Sequence, residues 1–228
     1  MKPRRRHRWV RSVAEARAIQ LRLAPRVRIE PFRLKRGVVA GLDVSYSRRS
    51  TTLWAGVVVV NLADGRIVEE RTGASEAPFP YVPTYLSFRE LPACLNVLER
   101  VRSRPECLLC DGQGLAHPRL FGLATHLGYL LDRPTVGCAK SRLVGDYDEP
   151  PDKVGAWTPL ALDGRTVGAV LRTRRSVKPV FVSPGHRTDV ASAVEVVLAA
   201  CSRYRLPEPT RLAHQAVNRA RLEAAGIT

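Results

Sequence analysis

Residues 106–131 read ECLLCDGQGLAHPRLFGLATHLGYLL. Cys107-Leu108-Leu109-Cys110 is an apolar run of the length expected of a buried strand. It stops at Asp111, a glycine loop follows at Gly112-Gln113-Gly114, and then comes His117-Pro118. Beyond them Leu120, Leu123, Ala124, Leu127 and Leu131 recur at helical spacing. A buried strand, a loop and a helix in that order predict an α/β chain with a carboxylate where the strand ends. Open α/β sheets bind ligands at the carboxyl ends of their strands. A carboxylate there is costly to desolvate unless it is paired, hydrogen-bonded or bound to a metal. The plainer reading is that Asp111 caps a turn.

With 228 residues, 45% of them hydrophobic, the chain can bury one substantial core, so a single domain over residues 1–228 is expected. Lys and Arg total 37 against 21 Asp and Glu, a net charge of +16 that favours a polyanionic partner, nucleic acid before membrane. No apolar run reaches membrane-spanning length and no signal-peptide pattern is present, so a soluble cytoplasmic protein is expected. The cysteines at 94, 107, 110, 138 and 201 read mostly as small core residues. Cys107 and Cys110 form a C-x-x-C inside a strand pattern with no second pair, which argues against zinc.

The chain opens with a basic arm, residues 1–11, carrying Lys2, Arg4, Arg5, Arg6, Arg8 and Arg11. It reads as a solvated tail, with contact to phosphates as the alternative. Val13 to Leu23 predicts an amphipathic helix, with Val13, Ala16, Ile19 and Leu23 on one face. Val38 to Tyr46 is the first strand, and Asp43 interrupts its apolar run on the face of Val39 and Gly41. Leu53 to Leu62 and Ile67 to Thr72 join through Asp64-Gly65 as a hairpin, so the first three strands predict an antiparallel meander. The strand, helix and strand from Cys107 to Cys138 predict a parallel crossover.

Between meander and crossover lies a loop stiffened by Pro78, Pro80 and Pro83, presenting Tyr81 on a rigid base. Ser87 with Glu90 three residues later fits a helix capping box, the structural explanation of Glu90. Lys140 follows the strand Pro134 to Ala139, so it and Asp111 should open on one sheet edge if their strands are parallel neighbours. A second hairpin turns at Asp163-Gly164, a short strand follows at Pro179 to Ser183, and helices cover Asp189 to Cys201 and the stretch containing His214.

Inward carboxylates at Asp43, Glu90 and Asp111 in a basic protein need an explanation, and magnesium supplies one through oxygen ligands shared with phosphate. Two such ions can clamp both the attacking and the leaving oxygen of a phosphodiester. Sequence spacing does not fix the separation of these residues, so this reading stops at a metal-dependent nuclease.

The segments VAGLDVSY, FPYVP, LSFRE, DGQGLAHPR, PTVGCAKSRL, SPGH and PEPTRLAH together resemble the successive motifs of the endonuclease V family. The resemblance runs from the first helix to His214. It implies a ribonuclease H-like α/β fold: a mixed sheet, antiparallel meander plus parallel strands, flanked by helices. The implied activity is a magnesium-dependent deoxyribonuclease, with manganese able to substitute. It acts on deoxyinosine in damaged DNA and cuts the second phosphodiester bond 3′ to the lesion. Inosine-specific cleavage of RNA and a non-catalytic nucleic-acid-binding module are the alternatives, and a monomer is expected. Asp43, Glu90 and Asp111 match the family's metal-binding carboxylates, with His214 as an auxiliary ligand. His117 and Lys140 match further catalytic residues that handle phosphate charge and the attacking water. Pro80, Tyr81, Val82 and Pro83 match a wedge that enters the DNA, and Thr84, Leu86, Gly112, Gly114 and Gly122 fall at the base pocket. The family usually carries glycine where Thr84 stands.

Overall fold

The computed structural model describes residues 1–4, 7–46 and 51–226. Its centre is one eight-stranded sheet in the order β3-β2-β1-β4-β5-β8-β7-β6. The meander is β1 (Val38–Ser45), β2 (Thr52–Asn61) and β3 (Ile67–Glu76), all antiparallel. β4 (Cys107–Cys110) and β5 (Thr135–Ala139) then run parallel to β1. The far edge, β6 (Trp157–Leu162), β7 (Arg165–Leu171) and β8 (Val180–Pro184), returns to antiparallel pairing. This is the mixed, ribonuclease H-like arrangement expected, with its parallel part confined to β1, β4 and β5.

Helices cover both faces. The helices α1 (Val13–Leu23), α2 (Leu86–Leu98) and α3 (Leu123–Leu131) bury Leu42, Leu108 and Cys110 beneath them. On the other face α4 (Val190–Ala200) packs over Val39, Leu109 and Val136, and α5 (Glu208–Ala224) over Val58 and Val60. β4 thus follows period 2 with both faces buried, which is why it reads as a continuous apolar run. Cys107 and Cys110 fall in cores on opposite faces, so they cannot share a metal. Among the described residues no helix is long and apolar enough to cross a membrane.

Three expectations need correction. The capping box does not form: α2 begins after Tyr85, and Ser87 is buried within it, its hydroxyl bonded to His126 Nδ1 at 3.0 Å. Val13 lies 41% exposed, while Gln20 takes a place on the buried face of α1. The arm is not a solvated tail. The Met1 amine donates to the Leu98 and Val101 carbonyls, and the Arg4 amide donates to Leu130 O. His7 meets His126 through their Nε2 atoms at 2.7 Å, and its ring lies edge-on to Trp9. Arg5 and Arg6 lie outside the described residues.

Candidate active site

The carboxylates meet because of how three elements end. Asp43 lies near the end of β1, and Asp111 is the first residue after the parallel neighbour β4. Glu90 sits in the first turns of α2 and is 8% exposed. Together with Leu42, Leu91, Cys94 and Leu123 they line one small cleft. Lys140 follows β5, and its Nζ donates to Asp111 Oδ2 at 2.6 Å. The two neighbouring parallel strands thus place Asp111 and Lys140 on one sheet edge, as their order in the chain suggested.

His214 arrives from α5 by a chain of close fits. A side chain at Gly41 would put its Cβ 2.0 Å from the Pro209 carbonyl carbon, so only glycine lets α5 start against β1. Two residues along β1 stands Asp43. One helical turn beyond Thr210 stands His214, and its Nδ1 lies 2.7 Å from Asp43 Oδ2. Asn218, a further turn on, places Nδ2 at 2.9 Å from His214 Nε2. An amide N–H donating to Nε2 leaves the ring proton on Nδ1, aimed at Asp43. Asn218 in turn accepts from the Ser45 hydroxyl at 2.9 Å. Asn218 escaped sequence reading, although its four-residue spacing from His214 was a usable signal.

Electrostatics sharpen the picture. Burial first, then the charges of Asp43 and Asp111, push the Glu90 carboxyl up to about 8, with Arg89 opposing. Burial and the Asp111 charge also raise Asp43, against the hydrogen bond from His214. Burial works against the Lys140 ammonium, yet the bond and charge of Asp111, with Asp43, hold its pKa above the usual value. Burial, with Asp111 and Glu90, pushes the Cys110 thiol up to about 12, so it stays protonated. Hard oxygen donors that repel one another, with protonated thiols nearby, suit a magnesium-like cation in chemistry. In the geometry recorded, one oxygen of Asp111 is held by Lys140 and one of Asp43 by His214. Among the described residues, no three His, Cys, Asp or Glu side chains converge at ligating geometry.

The raised Glu90 carboxyl fixes a sign. The folded chain holds this proton to about 8, the unfolded chain only to the ordinary 4.5. Stability present below 4.5 is therefore lost as pH rises toward 8. At about 1.4 kcal/mol per pH unit, the loss amounts to a few kcal/mol. We expect Glu90→Gln to gain stability over the native chain between pH 5 and pH 8.5 in chelator, measured by urea unfolding. A parallel fall of both proteins would place Glu90 outside the repelling cluster.

Beside the cleft lies a cavity of about 220 Å³, lined by Tyr81, Val82 and Pro83 of the proline loop, by Thr84 and Leu86, and by Gly112, Gly122 and His117. Small-molecule sites usually run to about 300–1,000 Å³, so this is space for one group, such as a base, rather than a whole nucleotide. Gly122 is required by packing: a Cβ there would lie 2.4 Å from Gln113 O. Gly114 does not line the cavity but packs on β8, its amide donating to Ser183 Oγ at 2.7 Å. Tyr81 is 61% exposed, and the neighbouring Phe79 is buried, its carbonyl held by Arg89 Nη1 at 2.8 Å. Pro80 is exposed beside it.

His117 is held at both nitrogens. Nε2–H donates to Thr84 O at 2.8 Å, and Nδ1 accepts from the Arg119 amide at 3.2 Å. Burial lowers its pKa to about 4, so the ring is neutral and serves here as a brace between the glycine loop and the proline loop. Thr84 has φ 69°, the left-handed region that favours glycine. Its carbonyl also accepts from Gln20 Nε2 at 3.0 Å and Arg119 Nη2 at 3.1 Å, and its hydroxyl meets the same Nη2 at 2.5 Å. Arg119 stacks over the Tyr85 ring at 4.4 Å. Neither Arg119 nor Gln20 was legible, because their partners are remote in sequence.

The left-handed conformation costs about 1–2 kcal/mol at a non-glycine residue, and a charged hydrogen bond returns about as much. Thr84→Gly should therefore leave stability within about 1 kcal/mol, leave metal dependence unchanged, and alter base preference. Matched cleavage of deoxyinosine, deoxyuridine and undamaged duplexes measures it. An unaltered profile would confine Thr84 to loop packing.

A sequence model of the endonuclease V family matches residues 21–215. An endonuclease V of Roseiflexus sp. is 48% identical over 214 residues, 94% of this chain and 96% of the relative. Among solved structures, the endonuclease V of Streptomyces avermitilis superposes with a TM-score of 0.91 at 42% identity, covering 99% of this chain and 100% of that one. A Ciona intestinalis endonuclease V variant, in complex with a 23-mer DNA containing an inosine followed by a ribo-adenosine, superposes at 0.81 with 28% identity, over 91% of this chain and 96% of that one.

Proposed function

The chain belongs to the endonuclease V family, and from that premise we propose that it is a magnesium-dependent DNA-repair endonuclease that recognises deoxyinosine. In this reading it hydrolyses the second phosphodiester bond 3′ to the lesion and leaves 3′-hydroxyl and 5′-phosphate ends. The observation that carries the reading is Glu90, buried beside Asp43 and Asp111 in a chain of net charge +16. A binding module gains nothing from carboxylates that repel phosphates.

Asp43, Glu90 and Asp111 would hold the cation, which would supply Lewis-acid neutralisation of phosphate charge. His214, aimed by Asn218, keeps the Asp43 carboxylate oriented. Lys140 offers its ammonium to the phosphate while it holds Asp111. His117 positions the Thr84 carbonyl at the pocket wall. The wedge opens the stack, and the cavity between Thr84, Leu86 and Gly112 receives the extruded base. The relative bound to inosine-containing DNA supports this substrate class.

The test is cleavage of matched deoxyinosine DNA and inosine RNA strands, with magnesium, with manganese and with chelator. Metal-dependent cutting of the DNA is expected; cutting that survives chelator would remove the carboxylates as metal ligands. Preference for inosine RNA is the second reading, since the relative's DNA carries a ribonucleotide after the inosine. Faster cutting of the RNA would establish it.

Binding should also weaken steeply with salt. If about four phosphates are contacted, roughly a fourfold rise in salt lowers affinity about a hundredfold through counterion release. A flat plot of log affinity against log salt would rule out backbone electrostatics as the main term.

A further inference from the structure

The parallel strands β1, β4 and β5 end at the carboxylate cleft and begin at the opposite pole of the sheet. Glu106 and Asp111 bracket β4, so about 16 Å of strand separates the two poles. At the far pole lies a cleft of about 420 Å³, lined by six cationic side chains, Arg4, Arg33, Lys35, Arg36, Arg133 and Arg187. Its three carboxylates, Glu30, Glu106 and Asp132, are already committed to holding the walls. Glu106 accepts the backbone amides of Lys35 at 3.1 Å and Arg36 at 2.8 Å. Glu30 accepts from Arg187 Nε at 2.9 Å. Asp132 accepts from Arg28 Nη2 at 2.5 Å and faces Nε2 of the buried His186 at 3.2 Å.

Among the described residues Arg33, Lys35 and Arg133 have no carboxylate within 4 Å, and Arg33 and Lys35 are exposed. Two wall residues are held in the left-handed region without being glycine, Asp132 at φ 53° and Arg187 at φ 55°. At Asp132 this is the usual left-handed end of a helix, which fixes the direction of the chain leaving α3. Here Asp132 closes α3, and the Arg187 amide donates to Arg28 O at 2.7 Å, so the two fixed turns set the cleft's walls.

We propose that this cleft is a second nucleic-acid site, which takes the phosphodiester backbone of a duplex segment other than the one at the carboxylate cleft. The carboxylates fix the walls and three cations remain for phosphates. Recognition there is electrostatic and independent of sequence. One chain then bridges two duplex segments. The inference does not depend on which bond is cut.

The test uses the full chain in chelator with short, unmodified duplexes of about 12 base pairs. These are far below DNA's persistence length of about 150 base pairs and too stiff to wrap both poles. Half carry a donor dye and half an acceptor. Energy transfer between separate duplexes is expected at equimolar protein, and Arg33→Ser/Lys35→Ser/Arg133→Ser should abolish it. The same variant should cleave a deoxyinosine oligonucleotide within twofold of the native rate, so failure of the cleavage reading and failure of this one are separable. Lys35→Ser alone should lower transfer at least twofold, which keeps the test open if the triple variant misfolds. Undiminished transfer in these variants, or none in the native chain, would overturn the proposal. Displacement of the second duplex by poly-glutamate as readily as by DNA of equal charge would assign the cleft to acidic protein instead.

Discussion

Asp111→Ala is expected to lower single-turnover cleavage of a deoxyinosine duplex by at least about 10³-fold, since metal stabilisation of phosphoryl charge is worth several kcal/mol. Fold and DNA affinity should survive. Asp111 is one of the charges that raise Asp43 and Glu90, so its removal relieves repulsion rather than breaking a support. Lys140 loses its partner, but its side chain is 48% exposed and water replaces the carboxylate. Asp43→Ala should fall as far. His214 acts through Asp43 in this arrangement, so Asp43→Ala/His214→Ala should be no worse than Asp43→Ala alone. Cleavage within tenfold of native in either single variant would take that carboxylate out of the metal set. A further loss in the double variant would give His214 a task of its own.

The parts of this site legible in the sequence are those set by strand ends. Asp111 and Lys140 could be placed on one edge because β4 and β5 are short apolar runs that stop abruptly, and parallel neighbours align their ends. Asp43 could be placed on the Gly41 face by alternation, and α5 does cover that face. Glu90 was ambiguous because its spacing from Ser87 satisfies a capping box as well as an inward carboxylate. Tertiary packing decided it, with Ser87 drawn to His126 instead of to the backbone. The network of Gln20, Arg119, Thr84 and His117 was illegible for another reason. Apart from the Arg119 amide on His117, its bonds join residues 33 to 99 positions apart, and no local pattern encodes them. The arm misled through composition: its charges read as solvated, while Met1, His7 and Trp9 between them anchor it to α2 and α3.

Tyr81→Ala tests how a lesion is chosen. Extruding a base costs a few kcal/mol, and least where pairing is already weak. A deoxyinosine pair is weaker than a normal one, so an enzyme that shares the cost of opening gains selectivity without reading the base closely. In the proposed reading the loop carrying Tyr81 meets part of that cost. Phe79 anchors one end in the core, Arg89 fixes its carbonyl, Pro80 and Pro83 stiffen the backbone, and Thr84 is held by three donors at the other end. Among the described residues, the ring between them is the most exposed of the large apolar side chains. Little ordering entropy remains to be lost when it enters a stack, unlike a flexible loop. Removing it should slow cleavage of deoxyinosine in duplex DNA about 10–100-fold, the share of a few kcal/mol that one inserted side chain can supply. On a single strand, where the base is already unstacked, the rate should change less than about threefold. Rates for both proteins on both forms decide it, with deoxyuridine and undamaged duplexes as references. Equal losses on every substrate would mean that Tyr81 supports the loop and opens nothing. A larger loss on the single strand than on the duplex would put the ring against the extruded base instead of in the stack it left.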